Sequence, residues 1–534
     1  MKKSILFISF FVLGLALRAQ HIDSLSFPMT QISLTTENGY TRVSMQSCDI
    51  TTDIGYPELP CLKLKYVLPY DQEISSITIL DSTLQLISNN SLVYPRQPDY
   101  PMDDTATHAF ILPDENIYNN NTPYPLQIVD VSEQYYEKGC HLASIKVFPV
   151  RYTPSLNRLE LFSHIRFQLN YTHITETAII PQTQSQRMNH INESFMLSQI
   201  RNISDFVFNS GGPITVLDED ACATQSISLL DMDINTNPEY LIITSNIDVN
   251  GNSLYDAASG KNMADVFQEL ADWKTQKGTP TKVVTMEDIA ANYSGNDIQE
   301  KIHNFLADVY NNYGSLYILF GGDVNVVPAR MIPGKHDGVH YNNHLFYPVD
   351  LYYVAIDNSW DGNRNGIYGE TVDNADNYPD FYYGRAPVET VKEASTFVLK
   401  CKEYENLSEI NPIERKYVNN IVGMQAYLNL PGQPHDARMQ KMEKLFDYVN
   451  STNNLRSGIS QNNIVKWRSY DPYDFVGSVN YENYNFNLSK NNALACFGGV
   501  IPTSNDKQAH IVLHCDHSSY LALGTSALLN NMTG

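Results

Sequence analysis

The stretch that most restricts the fold of this chain runs from Pro238 to Asp323, where short apolar runs alternate with amphipathic ones. Residues 240–244 (Tyr-Leu-Ile-Ile-Thr) are continuously apolar up to Thr244, as a strand buried on both faces requires. Between 263 and 277, Val266, Phe267, Leu270 and Trp273 recur at helical spacing, and Gly278 supplies the stop. A second strand is predicted at 282–284. A second helix is predicted over 297–310, with Ile298, Ile302, Phe305, Leu306 and Val309 on one stripe. The third strand, 316–320, ends in Gly321-Gly322-Asp323. Strands and helices alternating at this spacing predict a parallel sheet flanked by helices. The pattern resumes with a strand at 417–422, a helix near 436–449 and strands at 464–467 and 509–514.

The preceding part reads differently. From 21 to 171, alternating or β-branched runs such as 74–80, 143–147 and 165–171 are separated by Pro, Asn and Asp clusters. No helical period stands out, so a β-sandwich is expected there. Residues 172–237 are mixed and polar and read as a linker or wrapping segment. At the start, Lys2 and Lys3 precede an apolar run from Ile5 to Leu17, followed by Arg18-Ala19-Gln20. That run is too short to cross ~30 Å of hydrocarbon as a helix and matches a secretory signal peptide. The expected organisation is therefore a leader at 1–19, a β domain at 20–171, a linker at 172–237 and an α/β domain at 238–534.

Charge narrows the partners. A formal net charge of −23 over 534 residues makes the chain a poor candidate for gripping nucleic acid, where a basic face supplies most of the affinity. No later segment is long and apolar enough for a membrane span, so an exported protein at the cell surface or beyond is expected. The seven cysteines are scattered without a CxxC pair, which excludes a zinc ribbon or a disulfide mini-scaffold.

Sites in open parallel sheets lie at the carboxyl ends of strands. Gly321-Gly322-Asp323 sits at one such end and His514-Cys515-Asp516-His517-Ser518-Ser519 at another. The second cluster admits three readings: a histidine base serving a cysteine nucleophile, a zinc site built from His514, Asp516 and His517, or Cys515 itself as nucleophile. Zinc is disfavoured because Val512 stands where a further histidine is wanted, and Cys515 is too close in sequence to His517. Separately, Asp361, Asn363, Asn365, the Ile367 carbonyl and Glu370 form an oxygen-rich series around Gly366, the pattern Ca²⁺ requires. It departs from an EF-hand, with Val372 at the twelfth position and a strand-like, tyrosine-rich run at 350–356 before it. His336 and His340 have zincin spacing, but Pro333, Gly334 and Gly338 oppose a helix there. No organic cofactor is expected.

Together these landmarks resemble the gingipain family of secreted bacterial cysteine peptidases. The residues that carry the resemblance are the strand at 240–244, Leu270-Ala-Asp-Trp273-Lys-Thr-Gln-Lys-Gly278, Glu287-Asp-Ile-Ala290 and Leu319-Phe-Gly-Gly-Asp323 with Val327-Pro328-Ala329. Phe381-Tyr-Tyr-Gly-Arg385 and the strand leading to His517-Ser518 continue it. Gly55-Tyr-Pro-Glu-Leu-Pro60 and Phe148-Pro-Val-Arg-Tyr152 resemble the family's propeptide. The resemblance implies a caspase-like α/β domain with a mainly parallel sheet behind a β-sandwich propeptide, and a Cys/His endopeptidase made as a zymogen. It makes His517 the general base, matches Asp436 to an acidic specificity residue, and places the nucleophilic cysteine beyond Gly534. Asp516 and Ser518 replace the glycines that flank the histidine in the family, and Gln425 falls near the family's carboxylate. Protein or peptide substrates are then implied, with the propeptide as an intramolecular inhibitor. The alternative is an exported, non-catalytic binding or inhibitory protein that keeps the fold.

Overall fold

The structure, a computed structural model, describes residues 20–45, 48–98, 109–174, 181–205, 238–333, 346–357 and 359–406 in full, save the side chain of Thr371. It also describes the backbone of short strands at 215–217, 335–336, 339–340, 421–425, 464–469, 486–488, 511–515, 518–519 and 522–523. The leader expected at 1–19, Asp436 with the helix expected near it, and His517 lie outside the described residues. The chain divides into two compact units, residues 1–99 with 107–400 and residues 100–106 with 401–534.

The first unit begins with strands β1 (His21–Ser26), β2 (Ile32–Glu37), β3 (Tyr40–Met45), β4 (Asp49–Ile50), β5 (Pro60–Val67) and β6 (Gln72–Ser88). A helical turn, α1 (Glu115–Tyr118), precedes β7 (Val129–Glu137), β8 (Cys140–Val147), β9 (Val150–Thr153) and β10 (Arg158–His173). One antiparallel sheet has the order β4-β5-β8-β7, and another has β1-β10-β6 with β9 also on β10. Alternation explains the burial along β10: Ile165, Phe167, Leu169 and Tyr171 point inward while their neighbours are more open. They join Tyr66, Ala143, Ile145 and Val147 of the other sheet in one apolar cluster. Burying each large apolar side chain stabilises the fold by about 1.5–3 kcal/mol before conformational entropy is subtracted.

The segment expected as a linker or wrap is more ordered than its polar sequence suggests. β11 (Thr183–Ser185) pairs in parallel with β12 (Thr215–Leu217). Between them α2 (Gln186–Leu197) is capped by Ser185, whose hydroxyl accepts from the Met188 amide. Met188, Asn189, Asn192 and Met196 are its buried residues, so half of its buried face is amide.

The alternating part of the sequence folds as its period demands. β13 (Tyr240–Thr244) is followed by the small hairpin β14 (Tyr255–Asp256) and β15 (Lys261–Asn262), then α3 (Met263–Gln276) and β16 (Thr281–Thr285). α3 opens with a capping box in which the Asn262 and Asp265 side chains satisfy each other's backbone amides. α4 (Met286–Asn292), α5 (Ile298–Tyr313) and β17 (Tyr317–Gly321) come next. β18 (Arg330–Pro333) pairs with β21 (Phe346–Val349), and β19 (Lys335–His336) pairs with β20 (Val339–His340). His336 and His340 are thus on paired strands and not on a helix. A correction falls at 350–356, where the strand-like run is a helical turn, α6 (Leu351–Val354). Tyr352, Tyr353 and Val354 are all buried, and a strand with one open face would have turned the middle one outward. β22 (Tyr382–Ala386) completes a parallel sheet of order β16-β13-β17-β22, and α7 (Val391–Glu405) follows.

In the second unit, β23 (Ile421–Gln425), β24 (Ile464–Ser469), β25 (Phe486–Leu488) and β26 (Ile511–Cys515) form a second parallel sheet of order β25-β24-β23-β26. β26 ends where the His514–Ser519 cluster begins, so the cluster stands at a strand's carboxyl end, as sequence reasoning required.

Candidate active site and cation sites

Packing fixes the carboxyl end of β17. A Cβ on Gly321 would stand 2.8 Å from the Phe267 ring, and one on Gly322 would stand 2.5 Å from Val326 Cβ, so the turn needs both glycines. Asp323 closes it, its carbonyl accepting from the Val326 and Val327 amides. The Arg385 guanidinium, from β22, donates to the carbonyls of Gly322 (2.7 Å) and Val327 (2.6 Å) and pairs with Asp350 through Nε (2.9 Å) and Nη2 (2.5 Å). These contacts make Asp323 and Arg385 parts of a rigid turn.

In the loop 361–370 the side chains bond one another and the turn's backbone. Asp361 Oδ1 accepts from the Asn365 amide (2.9 Å) and Oδ2 from the Gly366 amide (3.1 Å). Asn363 and Asn365 each donate a side-chain N–H to Glu370 Oε2, at 3.0 and 2.6 Å. Gly366 has φ +80°, the conformation that lets the chain reverse. Asp373, which the sequence reading missed, organises the far side. Its Oδ1 accepts from the Asn363 amide (3.4 Å) and its Oδ2 from the Glu370 amide (2.8 Å). Asp361, Asn363, Asn365 and Glu370 are therefore tied together by hydrogen bonds across one turn. Such a donor set fits a hard cation such as Ca²⁺.

A second acidic group escaped the sequence reading. Asp357, Asp376 and Asp380 bring carboxylate oxygens within 4.8 Å of one another. Asp376 and Asp380 are buried, at 4% and 0% exposure. α6 and β22 bring them together: the Asp380 amide donates to the Val354 carbonyl (2.7 Å), and the Ile356 amide donates to Asp380 Oδ2 (3.2 Å). Asp376 Oδ1 accepts from the Tyr378 amide (2.9 Å), while its buried Oδ2 has no hydrogen-bond partner among the described residues. Burial drives the Asp376 carboxyl up to about 6, with Glu137 adding to the rise. Burial also pushes Asp380 well above the usual carboxylate range, and Asp357 and Asp376 reinforce it. Clustered buried carboxylates with an orphaned oxygen fit a bound cation. The recurrence of aspartate at 373, 376 and 380 was the available sequence signal; Asp357 gave none.

Of the other predicted site residues, His517 and Asp436 lie outside the described residues. For Gln425, His514 and Cys515 only the strand backbone is described, with Gln425 and Cys515 at paired register positions of β23 and β26.

Comparison with known proteins decides the family. The sequence pattern of Peptidase family C25 matches residues 233–531, and that of the C25 propeptide matches residues 19–198. The chain belongs to peptidase family C25. It carries both the propeptide and the catalytic region of this gingipain family. Gingipain R1 of Porphyromonas gingivalis is 20% identical over 395 residues, covering 72% of this chain and 32% of its own. Gingipain R2 of the same organism is 28% identical over 148 residues, covering 27% of this chain and 16% of its own. The chain thus spans about a third or less of the length of these C25 relatives. Among solved structures, the Arg-specific cysteine proteinase gingipain R is matched at 18% identity and TM-score 0.31, over 54% of this chain and 49% of that one. The complex of Porphyromonas gingivalis RgpB pro- and mature domains is matched at 12% identity and TM-score 0.26, over 30% of this chain and 83% of that one.

Proposed function

We propose that the chain is the precursor of an exported cysteine endopeptidase, with the β region at 20–171 as an inhibitory propeptide of β-sandwich build and the α/β part as a caspase-like catalytic domain. One observation carries this: the propeptide and peptidase patterns of family C25 occur in tandem and in order along one chain. His517 acts as general base. It takes the proton of a cysteine thiol, the thiolate attacks the peptide carbonyl, and the imidazolium returns the proton to the leaving amine. The family resemblance puts that cysteine beyond Gly534 and gives Asp436 a part in substrate choice. Residues 1–19 direct export. Calcium occupies the Asp361, Asn363, Asn365, Ile367 and Glu370 loop as a structural ion, and the Asp357, Asp376 and Asp380 group takes a second.

The replacement of both glycines beside His517 by Asp516 and Ser518 favours the alternative, an exported binding or inhibitory protein without catalysis. Activity separates the two. A precursor extended past Gly534 into the downstream cysteine, exported and freed of its propeptide, should start near Gln20 before processing and cleave peptidyl substrates. His517→Ala should lower kcat/KM by roughly 10²–10⁴-fold. Undiminished turnover in that variant would refute the base, and no turnover on Arg, Lys or other P1 peptides would favour the binding protein.

A further inference from the structure

The turn between β7 and β8 ends in an unexpected place. Lys138 and Gly139 have φ +50° and +77°, and Glu137 pairs with Cys140, so this is a two-residue hairpin turn of the kind whose tip ordinarily projects into water. Here Lys138 is only 3% exposed. Its ammonium donates to Glu137 Oε1 (3.1 Å) and to the Pro379 carbonyl (2.7 Å). It lies over the rings of Phe195 (4.8 Å) and Tyr382 (5.1 Å). The Lys138 backbone amide donates to Asp380 Oδ1 (3.2 Å). One residue of the propeptide region therefore sits, with its charge desolvated, on the segment that carries two of the three clustered aspartates.

We infer that Lys138 is a built-in counter-cation of the Asp357, Asp376 and Asp380 group, and that a divalent cation in that group and the docked propeptide hairpin oppose each other. The inference rests on the cation reading of this group. The ammonium is paired with Glu137 and rests on the Pro379 carbonyl, beside Asp380, whose Oδ1 accepts from the Lys138 amide. A cation drawing on Asp380 competes for that oxygen and repels the nearby ammonium where water is excluded. Linkage makes the effect reciprocal: cation binding loosens the hairpin, and undocking of the hairpin tightens the cation by the same factor. The propeptide is then held partly by a charge that calcium can displace, and a catalytic region released from its propeptide needs the ion more than the precursor does.

Calcium titration of the full chain tests this. Asp361→Ala silences the loop, and adding Asp376→Asn should remove the binding that remains. In the Asp361→Ala background, Lys138→Met should tighten that remaining site by roughly tenfold, within the usual span of coupling between sites. Equal affinity with and without the Lys138→Met substitution would overturn the opposition. No binding left to lose on Asp376→Asn would instead overturn the cation reading beneath it. Hydrogen exchange needs no lysine variant: in Asp361→Ala, saturating Ca²⁺ should speed exchange of the Lys138 amide severalfold, and unchanged or slower exchange would refute the inference.

Discussion

At the residue scale, buried histidines make this chain sensitive to mild acid. His303 on α5 holds Nδ1 2.7 Å from the Tyr352 carbonyl, with its ring 4.9 Å from the Tyr352 ring. Burial lowers its pKa from the ordinary 6.5, the Tyr352 carbonyl opposes the change and the Arg330 charge adds to it. His141 behaves alike: burial lowers its pKa, while its ring stacks on Tyr136 at 4.2 Å. Between the ordinary and the lowered value the unfolded chain binds more protons than the folded one, so stability rises with pH in that window. The contribution is complete above about 6.5 and is lost as pH falls through the lowered folded value. His303→Gln should therefore narrow the difference between denaturation midpoints measured at pH 7 and pH 5. An identical difference in variant and parent would refute the assignment.

At the scale of elements, the loop between α6 and β22 is where ion binding should register most clearly. Its turn already orders Asp361, Asn363, Asn365 and Glu370, so Ca²⁺ would bind the folded chain and find no equivalent in the unfolded one. A single site at a hundredfold its Kd adds about 2.7 kcal/mol. Calcium should raise the melting temperature, and Asp361→Ala should remove the loop's share of that rise. A melting curve indifferent to Ca²⁺ and EDTA would end the proposal. This loop was legible in the sequence because its donors lie within ten residues, as were α3 and α5, whose apolar spacing and caps are local. α6 was not, since tyrosine and valine favour strands and only the packing of Tyr352 and Tyr353 against neighbouring elements makes a helical turn favourable there. α2 was missed for a related reason: its buried Asn192 accepts from the Tyr382 hydroxyl (3.1 Å), a contact across 190 positions that no periodicity encodes. The three-aspartate group was missed because Asp357 comes from before the oxygen-rich loop and Asp376 and Asp380 from after it, so their meeting depends on how that loop folds back.

Taken as a whole, the first unit joins its β region to its parallel-sheet region through polar and aromatic contacts and a small apolar cluster. Tyr135, Cys140, Leu142, Met196 and Ile200 form that cluster, and Tyr378 packs on it. The Tyr135 and Tyr378 rings stack at 3.4 Å and 9°. Around them Ser185 donates to Glu239 (2.8 Å) and Arg187 to the Gly278 carbonyl (2.7 Å), and Gln184 meets both the Ser315 amide (3.0 Å) and carbonyl (3.1 Å). These contacts should make the two regions unfold together. Circular dichroism weighs the strands of both, whereas the tryptophans, Trp273, Trp360 and Trp467, all follow residue 238 and report only on the α/β side. Coincident denaturation curves would therefore mark a single cooperative unit. Tyr378→Ala removes the stacked ring and its hydroxyl contact with Glu133, a loss of roughly 2 kcal/mol. That loss falls on the coupling rather than on either core, since the apolar residues of β10 and β13 are untouched. The two curves should therefore separate in the variant while each transition stays cooperative. Curves that remain superimposed at the parental midpoint would show that the regions are held by something other than this interface.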